Sequence, residues 1–132
     1  MMISFILVSH SKKITDGLKE MIDQMALNQE NVTVFSLGGT SDGNLGTDPI
    51  AIYETFQERK SDDAILVFTD IGSAIMSSEA AVDMLDDDAI KQKIHIVNCP
   101  LVEGAFMAAV QIENIDSLES IFEELKSINK EF

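Results

Sequence analysis

Short apolar runs alternate along the chain with stretches in which apolar residues recur every three or four positions. Phe5-Ile6-Leu7-Val8-Ser9 is apolar or small throughout. Its β-branched and aromatic content fits a strand buried on both faces better than one side of a helix. After His10, the spacing of Ile14, Leu18, Met21, Ile22 and Met25 predicts an amphipathic helix lying on a sheet, starting at or just after the histidine. Asn28 to Asn31 reads as the turn out of that helix, and Val32-Thr33-Val34-Phe35-Ser36-Leu37 as a second strand. A glycine-rich loop from Gly38 to Thr47 follows, and Asp48-Pro49 reads as an N-cap and first helical position. The helix it opens has Ile52, Tyr53 and Phe56 on its buried side, and Lys60 to Asp63 closes it.

Ala64-Ile65-Leu66-Val67-Phe68-Thr69 is a third strand, as apolar as the first, and both are expected to be central. It stops on Asp70-Ile71-Gly72-Ser73-Ala74, before a helix from about Ser73 to Leu85 that carries Ile75, Met76, Ala80, Val82 and Leu85. Lys93-Ile94-His95-Ile96-Val97 is the fourth strand, with His95 embedded in it as a structural residue. Asn98-Cys99-Pro100-Leu101 leads into a helix from Val102 to Val110, rich enough in small residues that the sheet or a second subunit must pack closely on it. Asp116 is placed to cap a last helix with a stripe of Leu118, Ile121, Phe122, Leu125 and Ile128.

Strands alternating with helices imply a parallel sheet with right-handed crossovers and helices on both faces. The expected class is α/β, a four-stranded sheet in the order 2-1-3-4, in a single domain over residues 1–132 with no linker or repeat. That order makes the first and third strands neighbours that the chain leaves in opposite directions, so their carboxyl ends border the crevice where such folds bind ligands. His10 and Asp70 then face each other, with the Gly38 to Thr47 loop on the same rim.

Composition narrows the class. At 45% hydrophobic and 24% charged, the chain is globular. No apolar run approaches the ~18 residues of a membrane span and no charged leader precedes the first strand, so a soluble, cytoplasmic protein is expected. The single cysteine, Cys99, rules out an internal disulfide and reads as a buried structural thiol. Nine basic residues against 23 acidic ones, a net charge of -14, disfavour nucleic acid and anionic membranes as partners. Asp86-Asp87-Asp88 lacks the glycine and further ligands of a calcium loop, so it is read as a solvated turn and no metal site is expected. The glycine-rich loop lacks a P-loop lysine and follows the second strand, which sets a nucleotide-binding P-loop aside.

The chemistry of the strand ends follows from residue types. A carboxylate that accepts a hydrogen bond from one imidazole nitrogen fixes the tautomer and orientation and leaves the other nitrogen as the nucleophile. Asp70 is placed for that task behind His10. Helices begin just after both residues, and their free amides favour an anion in the crevice. The hydroxyls of Ser11, Thr40 and Ser73 and the loop backbone at Gly39 are the candidate phosphoryl-binding groups. A neutral histidine nucleophile, an acid behind it and an anion nest in front describe a site that takes up a phosphoryl group covalently.

Val8-Ser9-His10-Ser11, Gly38-Gly39-Thr40 through Asp42-Gly43 to Gly46-Thr47, Asp70-Ile71-Gly72-Ser73-Ala74 and Pro100-Leu101-Val102-Glu103-Gly104-Ala105 span most of the chain. Over these stretches it resembles the phosphotransferase subunits of dihydroxyacetone kinases that draw phosphate from the phosphoenolpyruvate-dependent sugar phosphotransferase system, relatives of the mannose-type enzyme IIA domain. A departure of degree is Ile71 where leucine is common after the aspartate. The resemblance implies a phosphohistidine at His10, on Nε2. It implies a small histidine-phosphorylated carrier protein as donor, and as acceptor ADP held on a partner subunit that passes the phosphate on to dihydroxyacetone. It also implies a homodimer, and no cofactor on this chain, since ADP or ATP with Mg²⁺ belongs to the partner subunit.

Four other functions are weighed. An enzyme IIA domain of a mannose-type sugar import system shares the first step and is the nearest rival; the Asp70 and Pro100 motifs favour the kinase branch. A response-regulator receiver domain needs an acidic pair where Ser9-His10 stands. A histidine phosphatase needs an arginine before the histidine, and a flavin- or anion-binding module needs no His10.

Overall fold

The computed structural model describes residues 1–26, 31–112 and 118–129. The expected turn from Asn28 and the expected cap at Asp116 fall outside these residues, apart from Asn31. The strands are β1 (Ile3–Val8), β2 (Val32–Ser36), β3 (Ala64–Thr69) and β4 (Ile94–Val97). The helices are α1 (Lys12–Met25), α2 (Pro49–Glu58), α3 (Gly72–Asp83), α4 (Asp88–Lys91), α5 (Leu101–Gln111) and α6 (Leu118–Asn129). The strands form one parallel sheet in the order β2-β1-β3-β4, as the apolar runs predict. All six residues of β1 and all six of β3 are buried, which is what central strands covered on both faces require.

The period of two along the strands sends alternate side chains into two cores. Phe5, Leu7, Leu66 and Phe68 pack with Leu18 and Ile22 of α1, Ala105 and Ala108 of α5, and Ile121 and Leu125 of α6. Ile6, Val8, Ile65 and Val67 point to the other face, against Ile52 and Phe56 of α2 and Ala74, Ala81 and Leu85 in and after α3. Register places Val8 opposite Thr69, so β1 and β3 run out side by side.

Two helix faces differ from those expected. On α1 the buried residues are Thr15, Leu18 and Ile22, while Ile14, Met21 and Met25 are exposed. The helix turns one narrow line toward the sheet and leaves the flanking apolar residues outside it. On α3 the buried line is Ala74, Ser78 and Ala81, and Met76 is exposed. A helix held close to sheet and neighbouring helix accommodates small side chains at the contact and turns long ones outward. Asp48 caps α2 as expected, its carboxylate accepting from the amides of Ile50 and Ala51, both at 3.1 Å. Asp87 caps the short α4 through the Ala89 amide at 2.8 Å.

The small residues of α5 are explained within one chain: Gly104, Ala105, Ala108 and Ala109 are buried where α5 crosses β1 and β3 between α1 and α6. A Cβ at Gly104 would overlap Cys99 Sγ, so the cysteine occupies the space the glycine leaves. Burial pushes the Cys99 thiol up to about 11, in keeping with a structural role. His95 stacks obliquely on Phe122 at 5.1 Å between ring centres, and burial lowers its pKa. Among the described residues no helix is long and apolar enough to cross a membrane.

Gly104→Ala is expected to destabilise the chain by about 1–3 kcal/mol through overpacking. Adding Cys99→Ala should recover part of that loss. Urea denaturation of the two variants checks this, and an unchanged midpoint for Gly104→Ala would contradict the contact.

Candidate functional site

Two strand ends build the site. The Asp70 amide donates to the Val8 carbonyl at 3.2 Å, continuing the β1–β3 ladder one step past the sheet. This brings Asp70 beside Ser9 and His10, which lie 61 and 60 residues earlier in the chain. The carboxylate accepts from four donors. Oδ2 takes the Ser9 hydroxyl and the His10 amide, both at 3.0 Å, and Oδ1 takes the Ile71 amide at 2.7 Å. The His10 ring completes the set, Nδ1 lying 3.0 Å from Oδ1 and 3.2 Å from Oδ2.

A carboxylate can only accept, so Nδ1 carries the ring proton and the Nε2 lone pair is free for chemistry. Nε2 faces the Ser73 hydroxyl, which donates to it. Ser73 belongs to the first turn of α3, where helix amides have no partner within the helix and the dipole is positive. The ring is 28% exposed and the carboxylate 19%, so the reactive nitrogen looks outward while the acid is set back. Burial alone would raise the Asp70 pKa. The amides of His10 and Ile71, the His10 ring and the Ser9 hydroxyl together outweigh it and hold the carboxyl below its ordinary 3.8.

The loop after β2 closes over the head of α1. The Gly39 amide donates to the Ser9 carbonyl at 3.0 Å and the Gly46 amide to the His10 carbonyl at 2.8 Å, with φ of 76° and 134° at the two glycines. Gly38 donates to Thr15 Oγ1 at 2.9 Å, and a Cβ there would overlap the Ser11 carbonyl and the Thr15 hydroxyl. Ser36 reaches the same hydroxyl at 2.8 Å. Thr47 and Ser77, 2.5 Å apart, tie the end of the loop to α3.

Of the expected site residues, His10, Asp70 and Ser73 are brought into direct contact. Ser11 lies next to them at the head of α1, its amide donating to Ser9 Oγ at 3.1 Å and its side chain making no capping bond. Gly39 and Thr40 lie on the rim with their donors engaged. The Thr40 amide goes to the Asn44 carbonyl at 2.9 Å, and its hydroxyl turns to Asp42 and Asn44. These two residues shape the loop here and do not point donors at Nε2. Residue type alone does not single out Ser9 or Thr15. The signal for Ser9 is its place beside His10 at the strand end; for Thr15 it is only a polar residue on the sheet-facing line of an amphipathic helix.

The family model described as the PTS system fructose IIA component, EIIA-man, matches residues 4–122. A relative in Listeria innocua named PEP-dependent dihydroxyacetone kinase 2, phosphoryl donor subunit DhaM, is 46% identical across 97% of this chain and 100% of its own length. The Lactococcus lactis PTS-dependent dihydroxyacetone kinase, phosphotransferase subunit DhaM, is 32% identical, with 93% of each chain covered. A DhaM subunit of Providencia stuartii is 34% identical, but this chain covers 26% of it. The crystal structure of EF1359, a protein of unknown function, superposes with a TM-score of 0.88 at 50% identity over 96% of this chain and 95% of that one. The phosphotransferase system component EIIA of Streptococcus agalactiae, at 20% identity, TM-score 0.66 and coverage of 98% and 94%, shares the fold. The chain belongs to the EIIA-man family of phosphotransferase-system IIA components, among the DhaM phosphoryl donor subunits of dihydroxyacetone kinase.

A folded-state pKa held below the unfolded value of about 3.9 means that the stability Asp70 contributes is complete above that value. It is lost as pH falls through the folded-state pKa. The Asp70 carboxyl carbon is expected to titrate below the ordinary aspartate value in carbon-detected NMR, and a midpoint at or above that value would contradict the hydrogen-bond set.

Proposed function

We propose that the chain is a phosphoryl carrier whose His10 Nε2 accepts a phosphoryl group from the histidine-phosphorylated carrier protein of the sugar phosphotransferase system. It then passes the group to ADP on a partner subunit of a phosphoenolpyruvate-dependent dihydroxyacetone kinase. The observation that carries this reading is the ring held by Nδ1 on Asp70 while Nε2 faces Ser73 at the start of α3. The names of the relatives, phosphoryl donor and phosphotransferase subunits of PEP- and PTS-dependent dihydroxyacetone kinases, support this reading. A mannose-type import role is less favoured, because the relatives at 46% and 32% identity carry the names of dihydroxyacetone kinase subunits.

In the transfer, the Nε2 lone pair forms the new N–P bond as the N–P bond of the donor phosphohistidine breaks, and that electron pair returns to the donor ring. Nδ1 keeps its proton throughout. Positive charge grows on the His10 ring and is met by the Asp70 carboxylate, which is ionised at neutral pH. Asp70 must act from behind, since beside the phosphoryl oxygens it would repel them. The Ser73 hydroxyl, released from Nε2 as the bond forms, becomes a donor to a phosphoryl oxygen. Passage to ADP reverses these roles. ADP or ATP with Mg²⁺ is assigned to the partner subunit and not to this chain.

With the phosphorylated carrier protein as donor, the chain is expected to take one acid-labile, base-stable phosphoryl group, and His10→Ala to take none. Asp70→Ala should slow labelling by about 10- to 100-fold while keeping its circular dichroism. Adding the ADP-loaded partner subunit should remove the label. A labelled His10→Ala variant overturns the reading.

A homodimer belongs to the same reading, supported by the exposed Ile14, Met21 and Met25 of α1 and Val102 and Val110 of α5, helices that touch one another. Sedimentation should give twice the chain mass, and a monomer at micromolar concentration would remove this part.

A further inference from the structure

We propose that Ser9 is a positioning residue for the His10 nucleophile, selecting the imidazole tautomer by fixing the carboxylate of Asp70. Ser9 is wholly buried, directly after β1. Its Oγ lies 3.0 Å from Asp70 Oδ2 and 3.1 Å from the Ser11 amide nitrogen. A hydroxyl has one proton and two lone pairs, while a carboxylate has no proton to give and an amide nitrogen no lone pair to offer. The Ser9 proton therefore goes to Asp70 and a lone pair receives the Ser11 N–H. Both partners fix the same rotor, and its polarity follows without choice.

The consequence reaches His10 through the carboxylate. Nδ1 lies almost equally far from the two Asp70 oxygens, 3.0 and 3.2 Å, so it depends on the rotation of the whole carboxylate group. Ile71 pins Oδ1, and Ser9 together with the His10 amide pins Oδ2. Without the Ser9 hydroxyl, Oδ2 retains only donors from His10 itself, which move with the residue they are meant to hold. The Ser11 amide at the head of α1 also loses its acceptor. A second tautomer then becomes accessible, because Ser73 Oγ can accept from an Nε2–H as readily as it donates to a bare Nε2. In that tautomer the nitrogen facing solvent carries a proton and cannot attack phosphorus. Ser9 thus excludes an unreactive state that the site would otherwise allow.

This inference deepens the carrier reading, but its first test does not depend on it. Long-range proton–nitrogen NMR of the unphosphorylated, histidine-labelled chain, at a pH where the ring is neutral, reports the tautomer directly. The wild type is expected to show Nδ1–H at His10, and Ser9→Ala a mixture with Nε2–H. Ser4→Ala is the control: this buried serine of β1 gives its hydroxyl to Asp62, away from the site, and should leave the His10 signals unchanged. Phosphorylation of Ser9→Ala by the carrier protein should slow about tenfold. Should Ser9→Ala fail to fold, Ser9→Cys carries the same test, because a thiol is a much weaker donor to a carboxylate. A folded Ser9 variant with the wild-type tautomer overturns the proposal, whatever its rate. A wild type that takes no phosphoryl group overturns the carrier reading and leaves the tautomer result to decide the role of Ser9.

Discussion

The Asp70 carboxylate is the interaction on which the site depends, and it is held by the packing of two strands. No local sequence brings Asp70 to His10; the parallel register of β1 on β3 does so, with Val8 opposite Thr69. A slip of one residue would turn every side chain of a strand to the other face, moving Phe68 out of one core and Val67 out of the other. Because both strands are buried along their whole length, such a slip would expose or overpack large side chains in two cores at once. The chemistry therefore takes its precision from hydrophobic packing beneath it. The final element of that precision is polar, since the carboxylate gathers five contacts from Ser9, His10 and Ile71, all within two residues of the strand ends.

The glycine-rich loop secures the same tip from the other side. Its amides at Gly39 and Gly46 bind the carbonyls of Ser9 and His10, so the backbone on both sides of the reactive residue is tied down. Gly38 is needed because the loop passes against the Ser11 carbonyl with no space for a side chain. Thr15, buried on α1, accepts from the Gly38 amide and lies 2.8 Å from the Ser36 hydroxyl, which couples loop, helix and edge strand through one hydroxyl. The loop thus resembles a phosphate-cradling loop in composition while directing its amides at the protein. That difference follows from its position after β2, the strand beside the one that carries the histidine.

What could be read from the sequence tracks how local each signal is. The four strands, their order, the Asp48-Pro49 helix start and the His10–Asp70 pairing follow from apolar runs, caps and the topology of parallel sheets. Helix faces were less legible: a stripe of Ile14, Leu18, Met21, Ile22 and Met25 satisfies helical periodicity, yet only Leu18 and Ile22 of it are buried. Periodicity marks a helix, but the width of its contact depends on neighbours that sequence does not display. The sequence of α5 does not distinguish a sheet from a second subunit as the cause of its small residues, because Gly104 is explained by the sulfur of Cys99. The direction of a hydroxyl is the least legible feature. Thr40 and Ser73 are equally plausible donors by type, yet one turns into its own loop and the other meets Nε2.

The division between a half-buried acid and an outward nitrogen would suit the proposed exchange of a phosphoryl group between His10 and two different proteins. An enclosed pocket would stabilise the phosphorylated state strongly and slow its departure, since only interactions stronger in the transition state than in the bound state speed transfer. Here the fixed part of the site lies behind the ring, where it acts on the developing charge of the imidazole in both directions of transfer. In front, Ser73 offers a hydroxyl and the start of α3 its helix amides, which favour an anion on a chain of net charge -14. Water would then be displaced from the face of His10 by each partner in turn, so the low-polarity setting for transfer is completed only in the complexes. On the proposed reading, the site commits its rigidity to the orientation of the His10 ring.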